Sequence, residues 1–169
     1  VNPLSEEWIL GIPGEVQRTN AAVAKGVLEE LSYLGIEVSS NIIKKGIQIA
    51  HWPGRLQSGT WKNKPFIIDG AHNPDAAIEL AKERNLWVPK NKQVNWILGI
   101  QIHKKGPEIL KAILKPQDKA WIVPVPNHES WTKKLISKTC SELSNRINQA
   151  DDIESVFERI LMGNEWPSC

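Results

Sequence analysis

The sequence has few cysteines, no long apolar run and almost no net charge. Its only cysteines are Cys140 and Cys169; they are too few for a disulfide framework and lack metal-site spacing, so a reducing cytoplasm is expected. No apolar stretch approaches the ~20 residues of a membrane span, and residues 1–10 lack signal-peptide features. Lysine and arginine number 21 against 19 acidic residues, a net charge of +2. This balance argues against a nucleic-acid or membrane-surface partner.

The first 50 residues contain two apolar patterns with the period of a helix. The first pattern predicts a helix capped by Thr19 or Asn20, and its apolar side chains recur at steps of four, four and three: Val23, Val27, Leu31 and Leu34. A second, shorter helix is expected to begin at Ser39 or Ser40. Two amphipathic helices bury too little surface to form a domain. We therefore interpret residues 1–50 as an appendage, or as the tail of a larger domain.

Residues 66–162 alternate between short apolar runs and helical patterns. Apolar runs at 66–69, 94–99 and 120–126 predict strands, and each is followed by a predicted helix. Successive strands are joined by one helix and short loops, which is the connection of a crossover unit. We therefore expect an α/β domain with a mostly parallel sheet. The last helix should end at Gly163. Length alone allows about one complete domain.

A Pro-Gly pair at residues 53–54 marks the predicted boundary between residues 1–50 and a domain at 51–169. The segment 55–61 lies so close to the strand at 66–69 that a hairpin is expected. Phe66 to Ile68 also has the composition of a strand buried on both faces, as in a parallel sheet.

The strand at 66–69 ends in a polar cluster, Asp69-Gly70-Ala71-His72-Asn73-Pro74. Pro74 suits the first position of a helix, which makes Asn73 the N-cap. Polar groups at a strand end that face a helix N-terminus commonly bind phosphates in open α/β sheets. Capping and bracing of the turn explain Asp69 and Asn73 equally well from these residues alone.

Arg55 adds a cation 14 positions before Asp69. A lone arginine after Pro-Gly is often only a solvated charge on a hairpin. Together with the strand-end acid, however, it forms a reasonable nucleotide site, in which the guanidinium binds phosphate and the carboxylate binds ribose hydroxyls.

Three motifs resemble one enzyme family. They are Trp-Pro-Gly-Arg at 52–55, Ile-Ile-Asp-Gly-Ala-His-Asn-Pro at 67–74, and the upstream Gly-Glu-Val-Gln-Arg-Thr-Asn-Ala-Ala at 14–22. In this order and spacing they are similar to folylpolyglutamate synthase/dihydrofolate synthase, within the Mur ligase superfamily. The resemblance implies a Rossmann-like three-layer carboxyl-terminal domain at 51–169, preceded by two helices that end the ATPase domain.

The resemblance also implies an activity and a set of site residues. Such ligases use ATP to join L-glutamate to a pteroate or folate carboxylate through an acyl phosphate. Arg55, Asp69 and Asn73 would face the nucleotide, and His72 and Lys104 would lie near the reacting groups. No residue of this chain is expected to bind metal, since the Mg²⁺ ligands of the family are expected mainly in the N-terminal ATPase domain.

The sequence departs from the family at several points. Asp-Lys-Asp is common after the second strand of the domain, whereas residues 103–105 here are His-Lys-Lys, so only Lys104 matches. Ser130 and the nearby His128 have a spacing that capping of the next helix by Ser130 explains. The family's final strand, with its Gly-Ser turn, is expected to be missing, because the chain reaches Cys169 without it.

No Gly-x-x-x-x-Gly-Lys-Ser/Thr motif occurs in these 169 residues, so the loop that would hold the triphosphate is not here. We therefore expect a fragment of a longer, cytoplasmic enzyme that lacks the N-terminal ATPase domain and is inactive alone. Two alternatives stay open. One is a cell-wall Mur ligase domain, which Gly70 and the segment 17–20 disfavour, and the other is a degenerate, non-catalytic nucleotide-binding domain.

Overall fold

A computed structural model describes residues 1–89 and 91–163 of the chain. Their contacts divide the chain into two units, Val1–Gly70 and Ala71–Cys169. The prediction about a missing final strand concerns the chain end from 164 to 169, outside the described residues. In the described part of the chain, no helix combines the length and apolarity needed to cross a bilayer.

The first unit contains the two helices expected from the apolar periodicity. Helix α1 spans Glu15–Glu30 and continues into a 3₁₀ turn at Leu31–Leu34, and α2 spans Ser40–Ile49 with Ser39 as N-cap. The predicted cap of α1 at Thr19 or Asn20 was wrong by about one and a half turns, because the N-cap is Gly14. Gly14 adopts φ 112°, which ends the preceding segment, and the acidic Glu15 suits the positive end of the helix dipole.

A β-hairpin closes the first unit. Its strands are β1, Gln57–Trp61, and β2, Lys64–Ile68, paired antiparallel. Lys62 and Asn63 in the two-residue connection both have positive φ, 46° and 62°, as favoured hairpin turns require. The Phe66 ring packs directly over Gly59, where a Cβ would collide with it.

The hairpin prediction is confirmed, but the prediction that Phe66 to Ile68 form a strand buried in the parallel sheet was wrong. Ile67 and Ile68 are 39% and 49% exposed, and β2 pairs only with β1 among the described strands. Three consecutive apolar residues fit either environment. The two-residue turn before them determines that they form a hairpin, because a connection this short can join only antiparallel strands.

The second unit is a three-layer α/β fold with a parallel sheet, as expected. Strands β3, Asn95–Leu98, β4, Lys119–Ile122, and β5, Ile147–Gln149, lie in that order and all run parallel. The helices are α3, Pro74–Trp87, α4, Gly106–Ile113, α5, Lys133–Thr139, and α6, Ile153–Met162, with a 3₁₀ segment at Ser141–Arg146 before β5. Strand β5 was not predicted, and the last helix ends at Gly163 as predicted.

The sheet buries both faces, and alternate residues of β4 show how. Ala120 and Ile122 point into the larger core, which receives side chains from α3, α4 and α5. Trp121 and the following Val123 point to the opposite side and pack with Val156 and other residues of α6. Because side chains alternate along a strand, one short apolar run supplies both cores.

A buried ion pair joins α3 to the start of the sheet. Arg84 and Asp118 are 1% and 0% exposed, and Arg84 Nη2 lies 2.8 Å from Asp118 Oδ1. The Asp118 carboxylate also accepts hydrogen bonds from the Val94 and Lys115 amides and from Trp96 Nε1, at 2.9, 3.1 and 3.2 Å. Four donors therefore neutralise and hold one carboxylate that has no access to water.

We expect Asp118→Ala to lower the free energy of unfolding by about 3–5 kcal/mol, because it leaves Arg84 charged and buried without its partner. Urea denaturation measures the change. Asp151→Ala, at an exposed position in the same unit, is the matched control and should cost less than about 0.5 kcal/mol. A loss below about 1 kcal/mol for Asp118→Ala would show that the pair contributes little.

Candidate active site

The predicted site residues of the first unit meet at the turn before β1. Gly54 and Leu56 have φ of 71° and 42°, so both residues that flank Arg55 are in the left-handed region. Glycine adopts this conformation freely. For the branched Leu56 it is strained, and such strain persists only where surrounding contacts impose it.

Three hydrogen bonds impose the conformation of this turn. The Gly54 amide donates to Gln57 Oε1 at 2.9 Å, and the Gly54 carbonyl accepts from the Gly70 amide at 2.7 Å. The Leu56 amide donates to Asp69 Oδ2 at 3.0 Å. The end of β2 thus holds the turn at the residues on both sides of Arg55.

The structure therefore brings Asp69 next to the backbone of the Arg55 turn. Arg55 is half-buried, and no hydrogen bond or ion pair to its guanidinium comes from residues 1–89 or 91–163. Asp69 has a clear bracing function through the Leu56 amide. Its predicted contact with a nucleotide stays a prediction.

In the second unit, Asn73 begins α3 as the sequence predicts. Its backbone is extended, with φ −139° and ψ 164°, and its Oδ1 accepts the Ala76 amide hydrogen bond at 2.8 Å. Pro74 occupies the first turn, and Asp75 places a carboxylate near the positive helix end. The capping role of Asn73 is confirmed. Nucleotide binding by Asn73 stays a prediction.

Lys104 lies in the loop between β3 and α4, and Trp131 supports this loop. Trp131 Nε1 donates to the Lys104 carbonyl at 2.8 Å, and the Lys104 amide donates to the Gln101 carbonyl at 3.0 Å. The Trp131 ring packs so closely on Gly106 that a Cβ there would lie 2.9 Å from it. Sequence patterns alone assigned no role to Trp131. The glycine that opens α4 was the available signal.

Ser130 fixes the neighbouring loop after β4 instead of capping a helix. Its Oγ accepts from the Val125 amide at 2.9 Å and donates to the His128 carbonyl at 3.2 Å. The cap of α5 is Thr132, whose side chain accepts the Leu135 amide hydrogen bond. The predicted capping role of Ser130 was therefore wrong, although its role is structural as expected.

A cleft of about 350 Å³ lies where α3 and α4 begin. It is lined by residues 72–75 from the start of α3 and by residues 103–105 with Glu108 from the start of α4. Three of the predicted site residues, His72, Asn73 and Lys104, thus share one cleft. The loop residue His103, which departs from the family pattern, lines it as well.

Charges of both signs line this cleft: the cations Lys104 and Lys105 and the carboxylates of Asp75 and Glu108. The N-terminal ends of two helices carry partial positive charge and amide donors. Lys105 is 68% exposed at its side chain and pairs with Glu108 at 3.6 Å. Lys104 is half-buried, and its Nζ makes no ion pair within the part of the chain that the structure describes. Lys104 is therefore the cation of this cleft best placed to contact a ligand.

Comparison with known proteins places these residues in a family. The chain is 32% identical over 126 residues to a probable dihydrofolate synthetase of Schizosaccharomyces pombe. The matched region covers 66% of this chain and 30% of that protein. An Escherichia coli FolC structure in complex with ADP is similar with a TM-score of 0.66 and 27% identity, over 91% of this chain and 34% of that one.

A bifunctional folylpolyglutamate synthase/dihydrofolate synthase structure with Mn, AMPPNP and L-glutamate bound has a TM-score of 0.68 and 25% identity, over 90% of this chain and 35% of that chain. The chain thus spans about a third of the length of these relatives. The model of the dihydrofolate synthetase carboxyl-terminal domain matches residues 54–160, which include the Arg55 turn, the strand-end motif and the cleft. The chain therefore belongs to the dihydrofolate synthetase family, with residues 54–160 matching the carboxyl-terminal domain.

Proposed function

We propose that this chain is the carboxyl-terminal part of a cytoplasmic, ATP-dependent ligase that adds L-glutamate to dihydropteroate, folate or both. Residues 1–50 would be the tail of its ATPase domain, and residues 51–169 its Mur ligase-like domain. Family membership and the share of the relatives that the chain spans support this proposal.

Exposed apolar side chains in the first unit support the proposed ATPase tail. Val27, Leu34 and Ile42 are 57%, 75% and 65% exposed, although the first two belong to the apolar face predicted for α1. Apolar side chains grouped on helices usually meet another surface. In the proposed ligase, that surface is the remainder of the ATPase domain.

The proposed reaction has two steps. A carboxylate oxygen of the pteroate or folate attacks the γ-phosphorus of ATP, which gives an acyl phosphate and releases ADP. The glutamate amine then attacks the acyl carbon, the amine loses a proton, and the tetrahedral intermediate collapses to an amide with release of phosphate. Both steps move negative charge between oxygens, so a protein accelerates them mainly by positioning and charge neutralisation.

The residues of the cleft suit the reacting groups. Lys104 would neutralise phosphate charge, and His72 would donate a hydrogen bond to the acyl phosphate or the incoming glutamate. Asn73 uses Oδ1 for its helix cap, so its Nδ2 is the group proposed to donate to the nucleotide. The cleft at the two helix N-termini is the observation that best supports this assignment.

In the first unit, Arg55 would bind phosphate oxygens of the nucleotide through its guanidinium, and Asp69 would contact the ribose. Bound Mg²⁺ supplies charge neutralisation on the triphosphate in such reactions. No group of three histidine, cysteine or acidic side chains among the described residues could hold a metal ion, so no magnesium ligand is assigned to them. The proposed ligands lie in the ATPase domain.

The reading frame upstream of Val1 provides the first test. We expect it to encode a Gly-x-x-x-x-Gly-Lys-Ser/Thr loop, because a ligase of this kind needs a site for the triphosphate. The product of that extended frame, called here the complete ligase, should release ADP in a glutamate-dependent manner, whereas residues 1–169 alone should not. Glutamate-dependent ADP release by residues 1–169 would contradict the assignment of the ATP site to the missing domain.

Arg55→Ala should lower kcat/KM for ATP in the complete ligase by about 10- to 100-fold, because it removes a charge-assisted phosphate contact. Arg55→Lys should recover only part of this loss, since lysine lacks the bidentate guanidinium. The free energy of unfolding should change little in both variants. Lys64→Ala removes an exposed cation from the same hairpin and serves as control. If Arg55→Ala and Lys64→Ala have equal activity, Arg55 does not bind the nucleotide.

Lys104→Ala should lower kcat in the complete ligase by about tenfold or more, because the cleft loses the cation that neutralises phosphate charge. Its neighbour Lys105 is the matched control, since it pairs with Glu108 and is largely exposed. We expect Lys105→Ala to retain activity within about threefold. Steady-state kinetics with ATP and glutamate varied separately measures both variants. Equal losses at the two positions would remove Lys104 from the proposed mechanism.

A further inference from the structure

Among the described residues, none forms a hydrogen bond with the Arg55 backbone, and the turn at residues 53–56 is held by the residues beside it. The bonds that shape it involve Gly54 on one side and Leu56 on the other, and each has a left-handed backbone. Because both flanking residues are fixed, the direction in which the Arg55 side chain leaves the backbone is fixed as well. The direction of the Arg55 side chain is therefore set before a ligand binds.

Leu56 and Gly54, on the two sides of Arg55, are held by different kinds of hydrogen bond. Leu56 is held by a carboxylate, which gives a strong charge-assisted bond. Gly54 has no side chain and moves between backbone conformations at little cost. Its carbonyl accepts from the Gly70 amide at 2.7 Å, and the bond from its own amide to Gln57 Oε1 at 2.9 Å is the side-chain restraint on the Gly54 backbone.

Gln57 is suited to this role because packing does not explain its side chain. It is the first residue of β1, and it is exposed. Its amide oxygen nevertheless reaches back three residues to close the turn. An exposed residue with no role beyond the strand would not need a side-chain oxygen that accepts the Gly54 amide hydrogen bond.

We propose that Gln57 is a positioning residue for nucleotide binding, which acts through Gly54 on the orientation of Arg55. The inference rests on the proposed function, because it takes Arg55 to be the residue that binds the phosphate. Gln57 itself contacts no ligand. Its contribution is to reduce the conformational freedom that the Arg55 turn loses when ATP binds.

The test is a double-mutant cycle in the complete ligase. Gln57→Ala should lower kcat/KM for ATP by about 3- to 10-fold, mostly through a higher KM, because binding must then order the turn. In an Arg55→Ala background the same substitution should change kcat/KM by less than about twofold, since nothing is left to position. Gln57→Glu keeps an acceptor oxygen and should stay within about twofold of the unmodified enzyme.

Two further measurements separate positioning from stability. Hydrogen exchange at the Gly54 amide should speed up in Gln57→Ala, while the melting temperature changes by less than about 3 °C. Ser58→Ala, at the next exposed position of β1, should match the unmodified enzyme in every assay.

Each outcome has a definite meaning. An equal loss from Gln57→Ala with and without Arg55, or a Gln57→Glu variant as weak as Gln57→Ala, would overturn the positioning role while leaving the proposed function intact. A complete ligase without glutamate-dependent ADP release would overturn the proposed function, and the positioning role with it.

Discussion

The second unit depends on one buried carboxylate. Asp118 lies in the turn before β4 and accepts bonds from Arg84 on α3, from the Val94 amide beside β3 and from Trp96 on β3. Each of these donors belongs to a segment that is distant in sequence. Since an unpaired buried charge costs several kcal/mol, the partners cannot separate one at a time. The carboxylate thereby joins the last turns of α3 to the beginnings of β3 and β4, whereas the cleft residues lie at the start of α3 and in the loop after β3.

The loop that carries Lys104 is held by contacts that do not use the lysine ammonium group. The Lys104 carbonyl accepts from Trp131 Nε1, and the ammonium group makes no ion pair among the described residues. A binding group gains from such an arrangement because its position is set in advance and its charge is not already neutralised. Asn73 differs, because one oxygen of its side chain already caps α3.

The turn that carries Arg55 is also held by contacts that do not use the arginine side chain. Here the strained Leu56 backbone is stabilised by Asp69, which sequence reasoning had assigned only to a ligand or to a generic brace. Asp69 thus supports the turn, and the turn holds the Arg55 side chain in position. From the motif alone, the two functions of Asp69 could not be separated, because both require a carboxylate at the end of the same strand.

The sequence by itself determined the family, the α/β class, the alternation of strand and helix after residue 66, and the cap at Asn73. These features rest on local patterns, such as apolar periodicity, Pro74 after Asn73 and the motif spacing. Only the tertiary structure showed that β2 lies outside the parallel sheet, that Ile147–Gln149 is a strand, and that Asp118 is buried. Strand β5 is three residues long and two of them are polar, so only its pairing with β4 defines it. Asp118 lies in a polar turn that looks solvated until α3 supplies its arginine. Both depend on contacts between segments far apart in the chain, which no local pattern encodes.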